Sequence, residues 1–200
     1  MQRRAMATAG IALLAAVFLS ACAREVPKAS RDGPIVAFGD SLVYGTGSSG
    51  GGFVKLLEAR LGRKIENLGV PGDTTADGLA RIDEVLALEP AVVILLLGGN
   101  DFLQQVPQDT TFANLGAIIT ALQADGAAVL LVGVRGGLVR DHFAERFEAL
   151  ADGLGTAYVH DVLDDTLGVE GYMADQVHPN DAGYRVIADR VYPVLAAMLE

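Results

Sequence analysis

The sequence is poor in the residues that build metal centres and disulfide frameworks. Among its 200 residues it has one cysteine and three histidines. A single cysteine cannot close a disulfide within the chain. His142, His160 and His178 are scattered, and neither a His-Glu-x-x-His pattern nor paired cysteines occur. A chain of this length can bury a sufficient core without such cross-links, so we expect one domain and no bound metal.

Basic residues are also scarce. The chain has 15 Lys and Arg against 25 Asp and Glu, a formal net charge of −10. No run of Lys and Arg interrupts this excess of acid. Such a surface repels the phosphates of nucleic acids and anionic lipid headgroups. The composition therefore predicts no nucleic-acid partner.

The apolar run near the start of the chain is too short to cross a membrane. Residues 10–21 are uncharged and apolar, but a spanning helix needs about 20 such residues. This run follows Arg3 and Arg4 and ends in small residues, which is the layout of a secretory signal. We therefore expect residues 1–21 to be a signal peptide and the protein to be exported.

The only cysteine stands at the end of this segment. The four residues that end at Cys22, Leu-Ser-Ala-Cys, resemble a bacterial lipobox, in which the cysteine becomes the first mature residue and carries lipid. The resemblance implies a lipoprotein held on a membrane of the cell envelope through lipidated Cys22. Residues 22–33 would then form the lipidated end and a polar tether, and residues 34–200 the domain. An uncleaved anchor, or a plain signal beside a free thiol, is the alternative.

The rest of the chain alternates short apolar runs with helical patterns. The runs predict five buried strands, at residues 35–38, 65–68, 91–97, 127–132 and 157–159. Apolar residues between them recur at helical spacing, in stripes that begin at Leu79, Phe112, Phe143 and Val186. Thr74 or Thr75, and Thr110 or Thr111, stand where helix N-caps are expected. This alternation predicts a five-stranded parallel sheet in a three-layer α/β/α sandwich.

Polar clusters follow three of these strands, and a fourth precedes the last helix. Ligands of parallel α/β sheets bind beyond the carboxyl ends of the strands. We therefore expect all four clusters to meet at one edge of the sheet. They are Gly-Asp-Ser-Leu at 39–42, Asn-Leu-Gly-Val-Pro-Gly-Asp-Thr at 67–74, Gly-Gly-Asn-Asp at 98–101 and Asp-Gln-Val-His-Pro-Asn at 175–180.

Two of the clusters contain the residue types of a serine nucleophile system. A serine hydroxyl attacks poorly unless a base removes its proton, and that base needs an orienting acceptor. Ser41 stands at a strand-to-helix turn, and His178 has Asp175 three residues before it. Taken singly, Ser41 could be a helix N-cap and His178 a surface histidine. Their joint position in the order Ser, Asp, His favours a catalytic triad.

Acyl transfer also needs hydrogen-bond donors directed at the developing oxyanion. Removing one such donor raises the activation barrier by about 2.7–4 kcal/mol. The candidates are the backbone N–H of Ser41, the backbone N–H of Gly72 and the side-chain amide of Asn100. Gly72 could instead serve only as a turn after Pro71. Asn100 could serve only as a turn or cap after Gly98 and Gly99.

These four clusters carry a family resemblance. The chain resembles the SGNH (GDSL) hydrolase family over residues 35–197, within its arylesterase, lysophospholipase and thioesterase branch. The resemblance implies a flavodoxin-like fold and a serine esterase with Ser41 as nucleophile, His178 as base and Asp175 as its partner. It implies an oxyanion hole of Ser41, Gly72 and Asn100. Gly72, rather than Gly69, matches the functional glycine because it stands before the Asp-Thr step.

The resemblance leaves the substrate open. We expect a small-molecule ester or a lipid as the substrate. The family resemblance is compatible with aryl or short-chain esters, lysophospholipids, acyl thioesters and acetylated sugars. Residues 133–140 match a region that often shapes the acyl pocket, and they lack aromatic side chains. The stretch 45–52, Gly-Thr-Gly-Ser-Ser-Gly-Gly-Gly, is rich in glycine, which predicts a loosened loop beside the nucleophile.

Other functions fit the sequence less well. Residues 45–50 match a dinucleotide fingerprint with Glu66 as ribose ligand, but six residues separate the strand from its first glycine. No organic cofactor is therefore expected. Val43 stands where an α/β-hydrolase elbow has its second glycine. A metal hydrolase could use Asp175, His178 and carboxylates such as Asp40 and Asp101, whereas we expect Asp40 and Asp101 to brace the site by hydrogen bonds. A ligand-binding envelope lipoprotein without turnover is the non-enzymatic alternative.

Overall fold

Residues 26–135 and 142–200 are described in a computed structural model of the protein, and they are built around a parallel sheet. The strand order is β2-β1-β3-β4-β5, and every pairing is parallel. This is the flavodoxin-like order, which places the switch point between β1 and β3. The strands are β1 (Ile35–Gly39), β2 (Ile65–Gly69), β3 (Val92–Leu96), β4 (Ala128–Val132) and β5 (Ala157–Val159).

Helices cover both faces of the sheet. The two helices that pack together on one face are α2 (Gly52–Leu61) and α8 (Asp181–Met198). The other face carries α3 (Thr75–Ala80), α6 (Gln108–Ala124) and α7 (Phe143–Leu154). Short helices complete the described chain: α1 (Ser41–Tyr44), α4 (Ile82–Leu86) and α5 (Gly99–Leu103). The predicted three-layer α/β/α sandwich is confirmed.

The predicted strands agree with the observed ones to within one residue at each end. The central strands β1 and β3 are buried along their whole length, which explains why they read as continuous apolar runs. β1 ends at Gly39, where there is no space for a side chain. A Cβ on Gly39 would lie 2.0 Å from the Leu96 carbonyl oxygen. A larger residue would push the end of β1 away from β3, where the polar clusters meet.

The structure confirms one predicted helix cap and corrects the other. Thr74 caps α3 through a capping box with Asp77, as expected. Neither Thr110 nor Thr111 is an N-cap, since α6 already begins after Pro107, whose fixed φ suits a helix start. The buried Thr111 hydroxyl instead donates to Asp101.

The helical stripe that begins at Leu79 is also interrupted. The chain forms two short helices, α3 and α4, which meet at Arg81 with φ −111° and ψ 18°. An apolar stripe alone predicts one continuous helix, whereas the observed break falls at Arg81, whose side chain is bonded to the ends of two strands, as described below.

The segment before β1 lies against the domain from Val26 onward. Val26 and Ala29 pack on the core, and the Ala29 N–H donates to the carbonyl of Met198 at the end of α8. Arg31 forms an ion pair with Asp125 at 2.6 Å. The predicted signal peptide and Cys22 lie outside the described residues. Among the helices of residues 26–135 and 142–200, none is both long and apolar enough to cross a membrane.

Candidate active site

Ser41 is the first residue of α1, directly beyond the carboxyl end of β1. Its side chain is mostly buried, with 8% of the residue exposed. Asp40 caps the helix by accepting a hydrogen bond from the Leu42 N–H at 2.9 Å. As the first helical residue, Ser41 has no intrahelical acceptor for its own N–H. The turn thus presents both a hydroxyl and a free backbone donor to the same edge of the sheet.

His178 lies within hydrogen-bond distance of Ser41. Its Nε2 is 3.0 Å from the Ser41 Oγ, although 137 residues separate the two in sequence. Its Nδ1 is 2.8 Å from Oδ2 of Asp175. The hydroxyl, the imidazole and the carboxylate therefore form one continuous hydrogen-bonded chain.

Asp175 is held as an acceptor by the backbone around it. Its Oδ1 accepts from the N–H groups of Val177 at 2.8 Å and His178 at 2.7 Å. The hydrogen bond from the His178 ring and these two N–H groups lower the pKa of Asp175 to about 2. The group is therefore a carboxylate at any pH where the protein is handled, and it holds the proton of the imidazole on Nδ1.

Three N–H donors surround the space in front of Ser41. Gly72 has φ +94°, a left-handed conformation that glycine adopts without strain, and its N–H has no acceptor among the described residues. The Asn100 amide donates one hydrogen to the Asp73 carbonyl at 2.9 Å, which leaves its second hydrogen available. The Gly69 N–H is already bound to Asn67 Oδ1, so Gly69 does not offer the same donor.

The two carboxylates expected to brace the site do so by hydrogen bonds. Asp101 accepts from the Thr75 N–H at 2.8 Å and from the Thr75 hydroxyl at 2.5 Å, joining α5 to α3. Asp40 is 2% exposed, and burial raises its pKa to about 7. The hydrogen bond from Leu42 and the charge of a protonated His178 act in the opposite direction on that pKa.

A cavity of about 260 Å³ opens in front of these groups. Ser41, Gly72, Asn100 and His178 all line it, so the structure brings the five predicted site residues to one place, with Asp175 behind the imidazole. Its opposite wall is apolar and is formed by Leu103, Val134, Leu163, Leu167 and Val177. Of the region predicted to shape an acyl pocket, Val134 and Arg135 line the cavity, and residues 136–140 lie outside the described part.

The glycine-rich stretch 45–52 is tied to α8, contrary to the loosening that we expected. Asp181 accepts from the hydroxyls of Ser48 and Ser49, both at 2.5 Å, and from the Gly50 N–H at 3.2 Å. These bonds lower the pKa of Asp181 to about 2. The glycines serve the tight turns, and the serines supply the attachment.

The sequence reasoning missed Arg81 and Asp73, which lie behind the site. Asp73 follows Gly72 directly and forms an ion pair with Arg81 at 2.6 Å. The available signal was an arginine at position 81 within an otherwise apolar helical stripe. In the part of the chain that the structure describes, no group of three or more His, Cys, Asp or Glu side chains is arranged to hold a metal ion.

Comparison with known proteins agrees with this geometry. Esterase TesA of Pseudomonas aeruginosa is 34% identical over 178 residues, which cover 82% of this chain and 89% of that protein. An arylesterase of Vibrio mimicus is 29% identical over 143 residues, covering 68% of this chain and 72% of that protein. A crystal structure of TesA matches with a TM-score of 0.76 at 32% identity, covering 83% of this chain and 99% of that one.

The family described as GDSL-like Lipase/Acylhydrolase matches residues 37–186, which include all the site residues found above. The match, the similar esterases and the shared fold point to the same chemistry as the hydrogen-bonded serine and histidine. The chain therefore belongs to the GDSL-like lipase/acylhydrolase family and is a carboxylic ester hydrolase of the serine esterase type.

Proposed function

We propose that Ser41, His178 and Asp175 are the catalytic triad of this esterase and that its oxyanion hole consists of Ser41, Gly72 and Asn100. The observation that carries the proposal is the chain of contacts from the Ser41 Oγ to His178 Nε2 at 3.0 Å and from His178 Nδ1 to Asp175 at 2.8 Å. A base at this distance can take the hydroxyl proton as the bond to carbon forms.

The reaction proceeds in two steps through an acyl-enzyme. The Ser41 Oγ attacks the ester carbonyl carbon while its proton moves to His178 Nε2, and the carbonyl oxygen becomes an oxyanion. The intermediate collapses, the C–O bond to the alcohol breaks, and His178 returns the proton to the leaving oxygen. Water, deprotonated by the same nitrogen, then attacks the acyl carbon and releases the carboxylic acid and Ser41.

In this mechanism, hydrogen-bond donors stabilise the oxyanion. The Ser41 N–H, the Gly72 N–H and the Asn100 amide are neutral donors, and each is fixed before substrate arrives. Preorganised donors of this kind lower the barrier because they need no reorientation as charge develops. The negative formal charge of the protein does not oppose this, since the donors act at short range.

The cavity favours substrates with an apolar acyl group. The leucine and valine side chains in its lining cannot form hydrogen bonds with the hydroxyls of a sugar, and outside the proposed catalytic groups they outnumber polar side chains such as Thr46 and Arg135. Leu103 and Val177 at its mouth are also partly exposed, at 57% and 38%. Aryl and short-chain acyl esters or lysophospholipids are therefore the preferred substrate class, ahead of acetylated carbohydrates.

Covalent labelling of the full-length protein tests the assignment of the nucleophile. A p-nitrophenyl alkylphosphonate should form one adduct per chain, located on Ser41 by peptide mass spectrometry. Ser48 is the internal control, because its hydroxyl is near the site but is bound to Asp181 rather than to a histidine. An adduct on another serine, or ester hydrolysis by a protein that takes no label, would contradict the proposal.

We also propose that the protein is an exported lipoprotein, anchored to a membrane of the cell envelope at Cys22. The supporting features are the charged start, the apolar residues 10–21 and the position of the only cysteine at the end of a lipobox-like sequence.

Expression in a bacterial host that is fed radiolabelled palmitate distinguishes lipidated from free cysteine. The wild-type protein should carry label and partition into a detergent phase, whereas Cys22→Ser should carry none and remain in the aqueous phase. A wild-type protein that is unlabelled and has a free Cys22 thiol would show that this proposal is wrong, and would leave the esterase assignment unaffected.

A further inference from the structure

Arg81 is a largely buried arginine at the carboxyl end of the sheet. Its guanidinium carbon lies 4.3 Å from the centre of the Phe38 ring, and 14% of its side chain is exposed. Burying a guanidinium is costly unless its N–H groups find acceptors. One nitrogen, Nη1, has no hydrogen-bond partner in the described chain and lies 3.9 Å from a carboxylate oxygen of Glu84. The other partners of Arg81 show what it does.

One nitrogen of Arg81 joins the ends of two strands. Nη2 donates to the Gly39 carbonyl at 3.0 Å and to the Leu68 carbonyl at 2.9 Å. Gly39 ends β1, and Ser41 follows two residues later. Leu68 is in β2, which leads into the loop that carries Gly72. The same group thus adds a side-chain link between the ends of two paired strands that deliver two of the oxyanion donors.

A second nitrogen of Arg81 reaches the remaining donor through Asp73. Nε donates to Oδ2 of Asp73 at 2.6 Å. Asp73 is the residue after Gly72, and its carbonyl accepts the hydrogen bond from the Asn100 amide at 2.9 Å. The position of Asp73 therefore determines both the direction of the Gly72 backbone and the rotation of the Asn100 side chain.

We propose that Arg81, acting through Asp73, is a positioning residue that sets the relative placement of all three oxyanion donors. The inference rests on the proposed function, because it assumes that Ser41, Gly72 and Asn100 hold the oxyanion. Neither Arg81 nor Asp73 lines the cavity, so the pair does not touch substrate. The carboxylate of Asp73 offsets the charge of Arg81, so the effect on catalysis is geometric rather than a direct attraction of the oxyanion.

Lysine cannot replace arginine in this role. A guanidinium presents its donors in a rigid planar fork, whereas an ammonium is a point charge on a flexible stem. The acceptors are a carboxylate at Nε and two carbonyls at Nη2, which the fork contacts at the same time. Arg81→Lys keeps the charge, and with it the ion pair to Asp73, but loses the simultaneous contact with both strands.

Steady-state kinetics of full-length Arg81→Lys on p-nitrophenyl butyrate test the proposal. Donors that are misplaced by a fraction of an ångström should lower kcat by about 10- to 100-fold. KM should change by less than about threefold, because the donors act on the transition state rather than on the bound ester. The inhibition constant of phenylboronic acid, which forms a tetrahedral adduct on an active serine, should rise by about the same factor as kcat/KM falls.

Arg31→Lys is the matched control. Arg31 also joins backbone to a carboxylate, with bonds to the Pro90 carbonyl at 3.0 and 3.1 Å and to Asp125 at 2.6 Å. It lies at the start of the strands, at the opposite end of the sheet from Ser41. We expect it to keep the wild-type kcat and boronate affinity, whatever it does to thermal stability. Equal kinetic losses in the two variants, or wild-type kcat in Arg81→Lys, would overturn the proposal.

If Arg81→Lys does not fold, Asp73→Asn tests the positioning role of Arg81 instead. The amide oxygen still accepts from Nε, but the guanidinium loses the carboxylate that offsets its charge, so the hydrogen bond is kept and the contact weakens. The expected loss in kcat is about 3- to 10-fold, with the same rise in the boronate inhibition constant. Wild-type values for both quantities would overturn the proposal. Failure of the triad assignment would appear separately, as absence of phosphonate label on Ser41 in the wild-type protein.

Discussion

Ser41→Ala should lower kcat for ester hydrolysis by about 10⁴- to 10⁶-fold. The substitution removes the oxygen that attacks the carbonyl, so no acyl-enzyme can form. The other groups that line the cavity remain, and the oxyanion donors would sustain only a slow attack by water. The measurement is the initial rate of p-nitrophenyl butyrate hydrolysis by full-length protein, at substrate concentrations that resolve kcat from KM.

Ser30→Ala provides the control for this experiment. Ser30 donates a long hydrogen bond, 3.3 Å, to the Gly126 carbonyl at the far end of the sheet. Loss of that contact does not reach the catalytic edge, so turnover should equal that of the wild type. Turnover of the same order in Ser41→Ala and wild type would exclude Ser41 as the nucleophile.

Asp175→Asn should lower kcat by about 10³- to 10⁴-fold while the fold is preserved. Oδ1 of Asp175 holds the backbone N–H groups of Val177 and His178, and an asparagine oxygen can take over both bonds. The asparagine NH₂ would then face Nδ1 of His178 and donate to it. The ring would carry its proton on Nε2, where it cannot accept the proton of Ser41.

Kinetics and thermal unfolding of Asp175→Asn, measured together, separate this effect from unfolding. Asp165→Asn is the matched control, because Asp165 is exposed and its ion pair with Arg190 is long, at 3.9 Å. The control should retain wild-type kcat. A modest loss in Asp175→Asn, similar to that of the control, would mean that the backbone rather than Asp175 orients the imidazole.

The sheet could be predicted from the sequence because its central strands are covered on both faces. Residues of β1 and β3 are apolar throughout, and the glycines and polar residues that follow them mark where each strand ends. Parallel pairing then brings the ends together: Gly39 is level with Gly69 in β2 and Leu96 in β3. Ser41, Gly72 and Asn100 follow those ends closely, so their proximity is a direct consequence of the topology.

Interactions that depend on side-chain direction could not be predicted in this way. Residues 45–52 suggested a loose loop because glycine frees the backbone, yet Asp181, which is more than 100 residues away, fixes it through two serine hydroxyls. Arg81 appeared as a charged residue on an apolar helix stripe, and nothing local indicates that its acceptors are the ends of two strands. Such pairings are set by tertiary contacts, which override local propensity.

If Cys22 is lipidated as proposed, the hydrogen bond from Ala29 to Met198 bears on which way the enzyme faces. Helix α8 begins beside His178 and rises for 18 residues, about 27 Å, before it meets Ala29. Cys22 lies four residues before Val26, a span of at most about 14 Å. A lipid on Cys22 would therefore place the bilayer behind the domain, with the cavity opening away from it. An enzyme held in that orientation would meet esters and lysophospholipids that arrive through the surrounding water, rather than lipids packed in its own leaflet.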